Sequence, residues 1–223
     1  MQSDGTGWSV ITHGEYWDTD PAWLADGTAV IFASNRCCST NGEFRYQLYT
    51  ASRSDRQPRR LTTASANDLA PATSRDGTRV AFVRTRPDEA LAEIYVMRTD
   101  GSDLRRLVSD RQILQLGWIG TDSLAFMTLT NNDTSSTLRL MTVDVDKPAR
   151  QPRAVFVCSD PCVGGDSFAV SPDGRFAAVT TSGPRSRPSS IVLIKLATGA
   201  TRTLPGIPRS GICCVSWSAT RAP

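Results

Sequence analysis

Few residues in this chain could do chemistry, and their spacing narrows what they could do. His13 is the only histidine, so a Ser/His or Cys/His nucleophilic pair would have to be built on it, and no Gly-x-Ser-x-Gly elbow is present. Its position beside an N-terminal apolar stretch predicts an exposed or capping side chain. No His-Glu-x-x-His, phosphate-cradling glycine loop or dinucleotide fingerprint occurs, so no catalytic residue is nominated. Asp26, Asp76 and Asp173 each precede a glycine. Their recurrence assigns them to tight turns, where a carboxylate bonds neighbouring backbone, rather than to a paired acid/base site.

The six cysteines stand at 37, 38, 158, 162, 213 and 214. An even number predicts disulfides and an oxidising compartment, although six cysteines allow 15 connectivities. Adjacent cysteines lack the two-to-four-residue ligand spacing of zinc sites, so no metal is assigned to them. The start Met1-Gln2-Ser3-Asp4-Gly5 reads as an initiator methionine set before a mature polar terminus. A secreted or periplasmic protein whose signal peptide has been removed fits that reading, and a cytosolic chain with free thiols is the alternative.

The elements that must carry these residues are legible from an internal repeat. Pro21-Ala22-Trp23-Leu24-Ala25-Asp26-Gly27-Thr28-Ala29-Val30-Ile31-Phe32 returns as Pro71-Ala72-Thr73-Ser74-Arg75-Asp76-Gly77-Thr78-Arg79-Val80-Ala81-Phe82. Leu116 to Phe126 is a degraded copy, Phe168 to Val179 a clean one, and Val215-Ser216-Trp217-Ser218 begins a fifth. Aligned on Gly27, Gly77, Thr121 and Gly174, the steps are 50, 44 and 53 residues. A period near that length with several short strands per unit is the signature of a propeller. The strands after each turn are apolar on both faces, as a blade between two neighbours requires and an open sheet with a wet face does not.

The Pro-Asp-Gly phrase, with Ile94-Tyr95-Val96-Met97-Arg98-Thr99-Asp100-Gly101 and Arg105-Arg106-Leu107 behind it, resembles the WD-like repeats of TolB-type β-propellers. The likeness covers about residues 8–218, with unit 68–108 the best match and the third unit lacking its Pro-Asp-Gly. It implies interaction platforms, peptidase caps or lyases, so it informs fold more than function. It would also imply six blades, more than 223 residues can supply at this period.

The expected architecture is all-β: a propeller of four complete four-stranded blades plus a sparse fifth formed from both termini. It is a single domain over 1–223, with blades at about 20–62, 68–108, 113–156 and 166–205 and closing fragments at 8–12 and 212–218. Strand direction then puts the loops after the second strand and before the first on one top face. Cys37/Cys38 and Cys213/Cys214 become neighbours there, predicting a clasp that closes a loop of about 176 residues, worth up to about 5 kcal/mol in the chain-entropy treatment. Cys158 and Cys162 are expected to pair locally, for roughly 2 kcal/mol.

Asp18, Asp20, Asp68 and Asp166, with Arg209, fall where the loop ends converge on the channel mouth. They could hold a hard cation such as calcium through oxygen ligands, or a cationic peptide group, or simply cap solvated turns. Tyr16 and Trp17 share that face with the long loops at 34–46, 129–137 and 182–190, where binding on a rigid scaffold usually resides. A net charge of +3 without a basic stripe excludes a nucleic-acid face, and no run of about 18 apolar residues could span a bilayer. Lysine occurs only at 147 and 195 beside abundant arginine, a bias read here as base composition rather than chemistry.

Together these features point to a non-enzymatic binding propeller without a cofactor, recognising a protein or peptide through its top face in the cell envelope or outside the cell. An enzyme acting on a glycan or small molecule through the mouth carboxylates is one alternative. A regulatory propeller detached from a larger peptidase or sensor is another.

Overall fold

In a computed structural model the chain is described over residues 10–37, 39–40, 43–52, 54–55, 57–87, 89–110, 112–132, 135–147, 151–159, 167–181, 190–204 and 215–217. These residues form strands and turns, and no helix among them is long and apolar enough to cross a membrane. The first sheet runs β1 (Asp18–Trp23), β2 (Ala29–Ser34), β5 (Gln47–Ser52) and β6 (Arg59–Arg60), with the small hairpin β3 (Ser39–Thr40) and β4 (Glu43–Phe44) inserted between β2 and β5. The second is β7 (Asn67–Thr73), β8 (Arg79–Thr85), β9 (Ala92–Arg98) and β10 (Arg105–Asp110). The third is β11 (Ile113–Ile119), β12 (Ser123–Asn131), β13 (Ser136–Asp144) and β14 (Arg153–Ser159). The fourth is β15 (Phe168–Val170), β16 (Phe176–Thr181), β17 (Ser190–Lys195) and β18 (Thr201–Thr203).

Every sheet is an antiparallel meander, and the first strands β1, β7, β11 and β15 lie side by side in that order. Four-stranded sheets gathered along their first strands are the blades of a propeller.

Alternation along each strand explains why the apolar runs are unbroken. In the first sheet Val30, Phe32, Tyr49 and Ala51 share the leading face, while Ile31, Ala33 and Leu48 share the trailing face and pack against Val80, Phe82 and Met97. Ala81, Val83, Ile94 and Val96 meet Leu116, Trp118, Leu124 and Phe126 at the next junction. Ala125, Met127, Leu138 and Leu140 meet Phe168, Ala177, Val179 and Ile194 at the third. Each fully buried side chain of this size contributes roughly 1.5–3 kcal/mol of transfer free energy, so the junctions carry most of the driving force for folding.

The turn aspartates do what their spacing requires. Asp26 accepts from the Thr28 amide, Asp76 from Ser74 Oγ and Thr78 Oγ1, and Asp173 from Ser171 Oγ and the Arg175 amide. Gly27, Gly77 and Gly174 follow at φ near 70°. The third hairpin departs from the sequence alignment on Thr121. Its left-handed residue is Gly120 (φ 65°), and Ile119 pairs directly with Ser123, giving a shorter loop.

Arginine also has structural work that composition did not disclose. Arg59, Arg105 and Arg153, each at the start of a fourth strand, donate to Asp100 O, Val145 O and Leu196 O of the following blade. Arg75 reaches further, from the first turn of the second blade to Pro172 O in the first turn of the fourth.

The described parts of the expected closing fragments, 10–12 and 215–217, are not in strands. Ile11 packs on the leading face of the first blade beside Phe32, Tyr49 and Ala51. The segment 215–217 lies along β15, with the Val215 amide on Ser167 Oγ and Trp217 Nε1 donating to Ala169 O at 2.9 Å.

Candidate functional site

The top rim of the first blade gathers several of the nominated residues around a side chain the sequence reading passed over, Arg36. It follows β2 directly, so its guanidinium returns over the blade. Nη2 lies 2.8 Å from both Asp18 carboxylate oxygens, and Nε donates to Ser34 Oγ at 2.9 Å. The same plane sits 5.1–5.3 Å from the ring centres of Tyr16, Phe32 and Tyr49. An arginine fixed by a bidentate carboxylate and stacked on aromatic faces is a rigid anchor. Burial works against the Asp18 carboxylate, but hydrogen bonds from Ser34, Arg36 and Thr12 outweigh it and hold its pKa below the ordinary range.

Three aromatic rings stand out from this anchor into solvent. Tyr16 is 50%, Trp17 65% and Phe44 52% exposed. Trp17 stacks on Phe44 with centroids 5.6 Å apart and planes inclined 23°, and its amide donates to Asn35 Oδ1 at 2.9 Å. The hairpin β3–β4 presents Phe44, and the turn after β2 supplies Asn35 and Arg36. The ledge is thus built from two loops of one face.

The second blade repeats the anchor without the ledge. Asp68 lies 50 residues after Asp18, the step of the repeat, and pairs with Arg84 through bonds of 2.6 and 2.8 Å. Arg84 stacks over Phe82 and Tyr95, the counterparts of Phe32 and Tyr49. Here both partners are buried, with side-chain exposures of 5% and 0%. Burial would lower the Arg84 pKa, and the Asp68 carboxylate more than reverses it. Glu93, also buried, is held by Arg86 and Arg106 at 2.6 and 2.8 Å.

Asp20 does something different: at φ 52° in the bulge of β1, its Oδ2 accepts the amide of Ala70 at 3.0 Å and ties the first two blades together. Asp18 and Asp68 are therefore each committed to an arginine and Asp20 to a backbone amide. Among the described residues no three His, Cys, Asp or Glu side chains gather as a metal site. His13 is exposed. Both described cysteines, Cys37 and Cys158, are disulfide-bonded. Asp166, Arg209, Cys38, Cys162, Cys213 and Cys214 lie outside the described residues.

Arg36 had one signal available in the sequence: Asp18 and Asp68 occupy the same phase of the repeat, which asks for a cation near the end of each second strand. Phe44 had none.

No protein-family model matches the chain, and no curated protein sequence matches it either. Solved structures do match in fold. TolB from Acinetobacter baumannii superposes with a TM-score of 0.65 at 18% identity, over 91% of this chain and 47% of its own. An oligogalacturonate lyase in complex with manganese gives 0.67 at 13% identity, over 89% of this chain and 56% of its own. The β-propeller domain of the trilobed protease from Pyrococcus furiosus gives 0.60 at 14% identity, over 85% and 57%. The chain thus has the TolB-type β-propeller fold, which it shares with a lyase and with a protease domain. It spans about half the length of these structures.

Proposed function

We propose that the chain is a binding propeller that recognises a protein or peptide through the top rim of its first blade, in the cell envelope or outside the cell. The observation that supports this is the exposed ledge of Tyr16, Trp17 and Phe44 around Arg36. Exposed Trp and Tyr beside Arg are the residue types that dominate protein-interface energetics. The enzyme alternative needs free carboxylates at the mouth, and Asp18 and Asp68 are held by arginines. The oxidation of Cys37 and Cys158 supports an oxidising compartment. The pairing we propose is Cys37/Cys38 with Cys213/Cys214, and Cys158 with Cys162.

Purified protein passed over an envelope extract tests the recognition. A specific partner should be retained by the unaltered chain, and Trp17→Ala should weaken it by tenfold or more, about 1.4 kcal/mol or above, with melting temperature unchanged. Retention of nothing specific, or equal binding by Trp17→Ala, opposes the proposal. Intact mass after alkylation tests the compartment: no cysteine should be modified without reductant and six with it. Six modified thiols in protein purified under oxidising conditions would remove the clasp.

A further inference from the structure

The junction of the second and third blades and the segment 215–217 share a device that the first blade leaves unused. Trp118, opposite Leu124 at the end of β11, donates its Nε1–H to Ala72 O of the preceding first strand at 2.9 Å. Trp217 does the same to Ala169 O at 2.9 Å. Ala72 and Ala169 occupy the same repeat position, each next to the last residue of its strand and opposite an alanine, Ala81 or Ala178. Trp23 stands where Trp118 stands, at the end of β1 opposite Val30. Yet its indole N–H bonds to none of the described residues, and the side chain is 54% exposed. Trp23 forms one wall of an open groove of about 350 Å³ along β1, with Ile11, Thr19, Pro21, Val30 and Phe32 as its other main surfaces.

From this we infer that the groove beside β1 is a second docking site, for an extended apolar peptide segment of a protein partner, with one backbone carbonyl on Trp23 Nε1. The two places where an equivalent indole is engaged argue for this occupant. At both, the indole meets the carbonyl of an alanine in an extended chain, within Leu69-Ala70-Pro71-Ala72-Thr73 or Phe168-Ala169-Val170. Ile11 already covers the rest of that face, which leaves room for one strand rather than a whole blade. Phe32, Tyr49 and Ala51 are already buried, with Ile11 packed on them, so only the strip over β1 stays open. The segment 215–217 shows that such a short extended piece can dock against a first strand without joining its sheet. This site runs along the sheet face and adjoins the rim's anchor at Asp18 and Phe32, but Tyr16, Trp17 and Phe44 do not line it.

A labelled synthetic octapeptide with the sequence of residues 67–74 is the probe, added to the intact chain and followed by fluorescence anisotropy. Saturable binding is expected. Trp23→Phe, which keeps the ring and loses the donor, should weaken it about fivefold, as loss of one hydrogen bond implies. Thr19→Arg, which fills the groove from its lip, should abolish it at unchanged melting temperature, and Trp17→Ala should leave it intact. Equal binding by the unaltered chain, Trp23→Phe and Thr19→Arg would overturn the inference, as would no binding at all. Concentration-dependent self-association lost in Trp23→Phe, without peptide binding, would also overturn it, making a second copy the occupant.

Discussion

At the scale of single residues, the clearest feature is that one electrostatic unit is used twice in different surroundings. Asp18–Arg36 faces solvent and holds up a ledge, whereas Asp68–Arg84 is sealed between blades and holds only its neighbours. Breaking the sealed pair from one side strands a buried charge. Asp68→Ala is expected to cost about 3–5 kcal/mol in urea unfolding, and Asp68→Ala with Arg84→Met should recover most of it. The sequence made the carboxylates visible because they repeat with the period. It hid their use, because Arg36 sits two residues further along its blade than Arg84 does, so no fixed spacing links acid to base. Trp17 was legible as a loop aromatic. Phe44 became meaningful only once the hairpin β3–β4 set it under Trp17.

At the scale of elements, the hairpins were the most legible part of the fold, since Asp-Gly encodes both the backbone conformation and its side-chain bond. The third turn was misaligned by one residue because it lacks that pair and relies on Gly120 alone. Superficially equivalent turns still differ in tolerance. A Cβ at Gly27 would meet nothing within 4 Å, but one at Gly77 would lie 3.3 Å from Ala25 Cβ in the neighbouring turn. Gly27→Ala should therefore cost only the left-handed penalty of about 1–2 kcal/mol, and Gly77→Ala measurably more in the same unfolding assay. The arginines that begin the fourth strands were not legible at all. A cation aimed at a carbonyl in the next blade leaves no pattern in its own unit.

At the scale of the whole molecule, repetition made the blade architecture readable, because each unit repeats one solution to burying two faces of a sheet. Ligand and partner were not readable, since they depend on loops that the repeat does not constrain. In such arrays stability is close to a sum of intrinsic and nearest-neighbour contributions. Arg75 is an exception, since its bond to Pro172 O skips the third blade. Arg75→Ala should remove about 1 kcal/mol of local stability, and amide exchange at Gly174 and Arg175 should quicken about fivefold while β8 and β9 stay protected.

One exposed guanidinium therefore gives the second and fourth blades a direct connection beside the two apolar junctions that run through the third. Loosening at the first turn of either blade is then felt two units away, where a purely nearest-neighbour array would confine it to the adjoining unit.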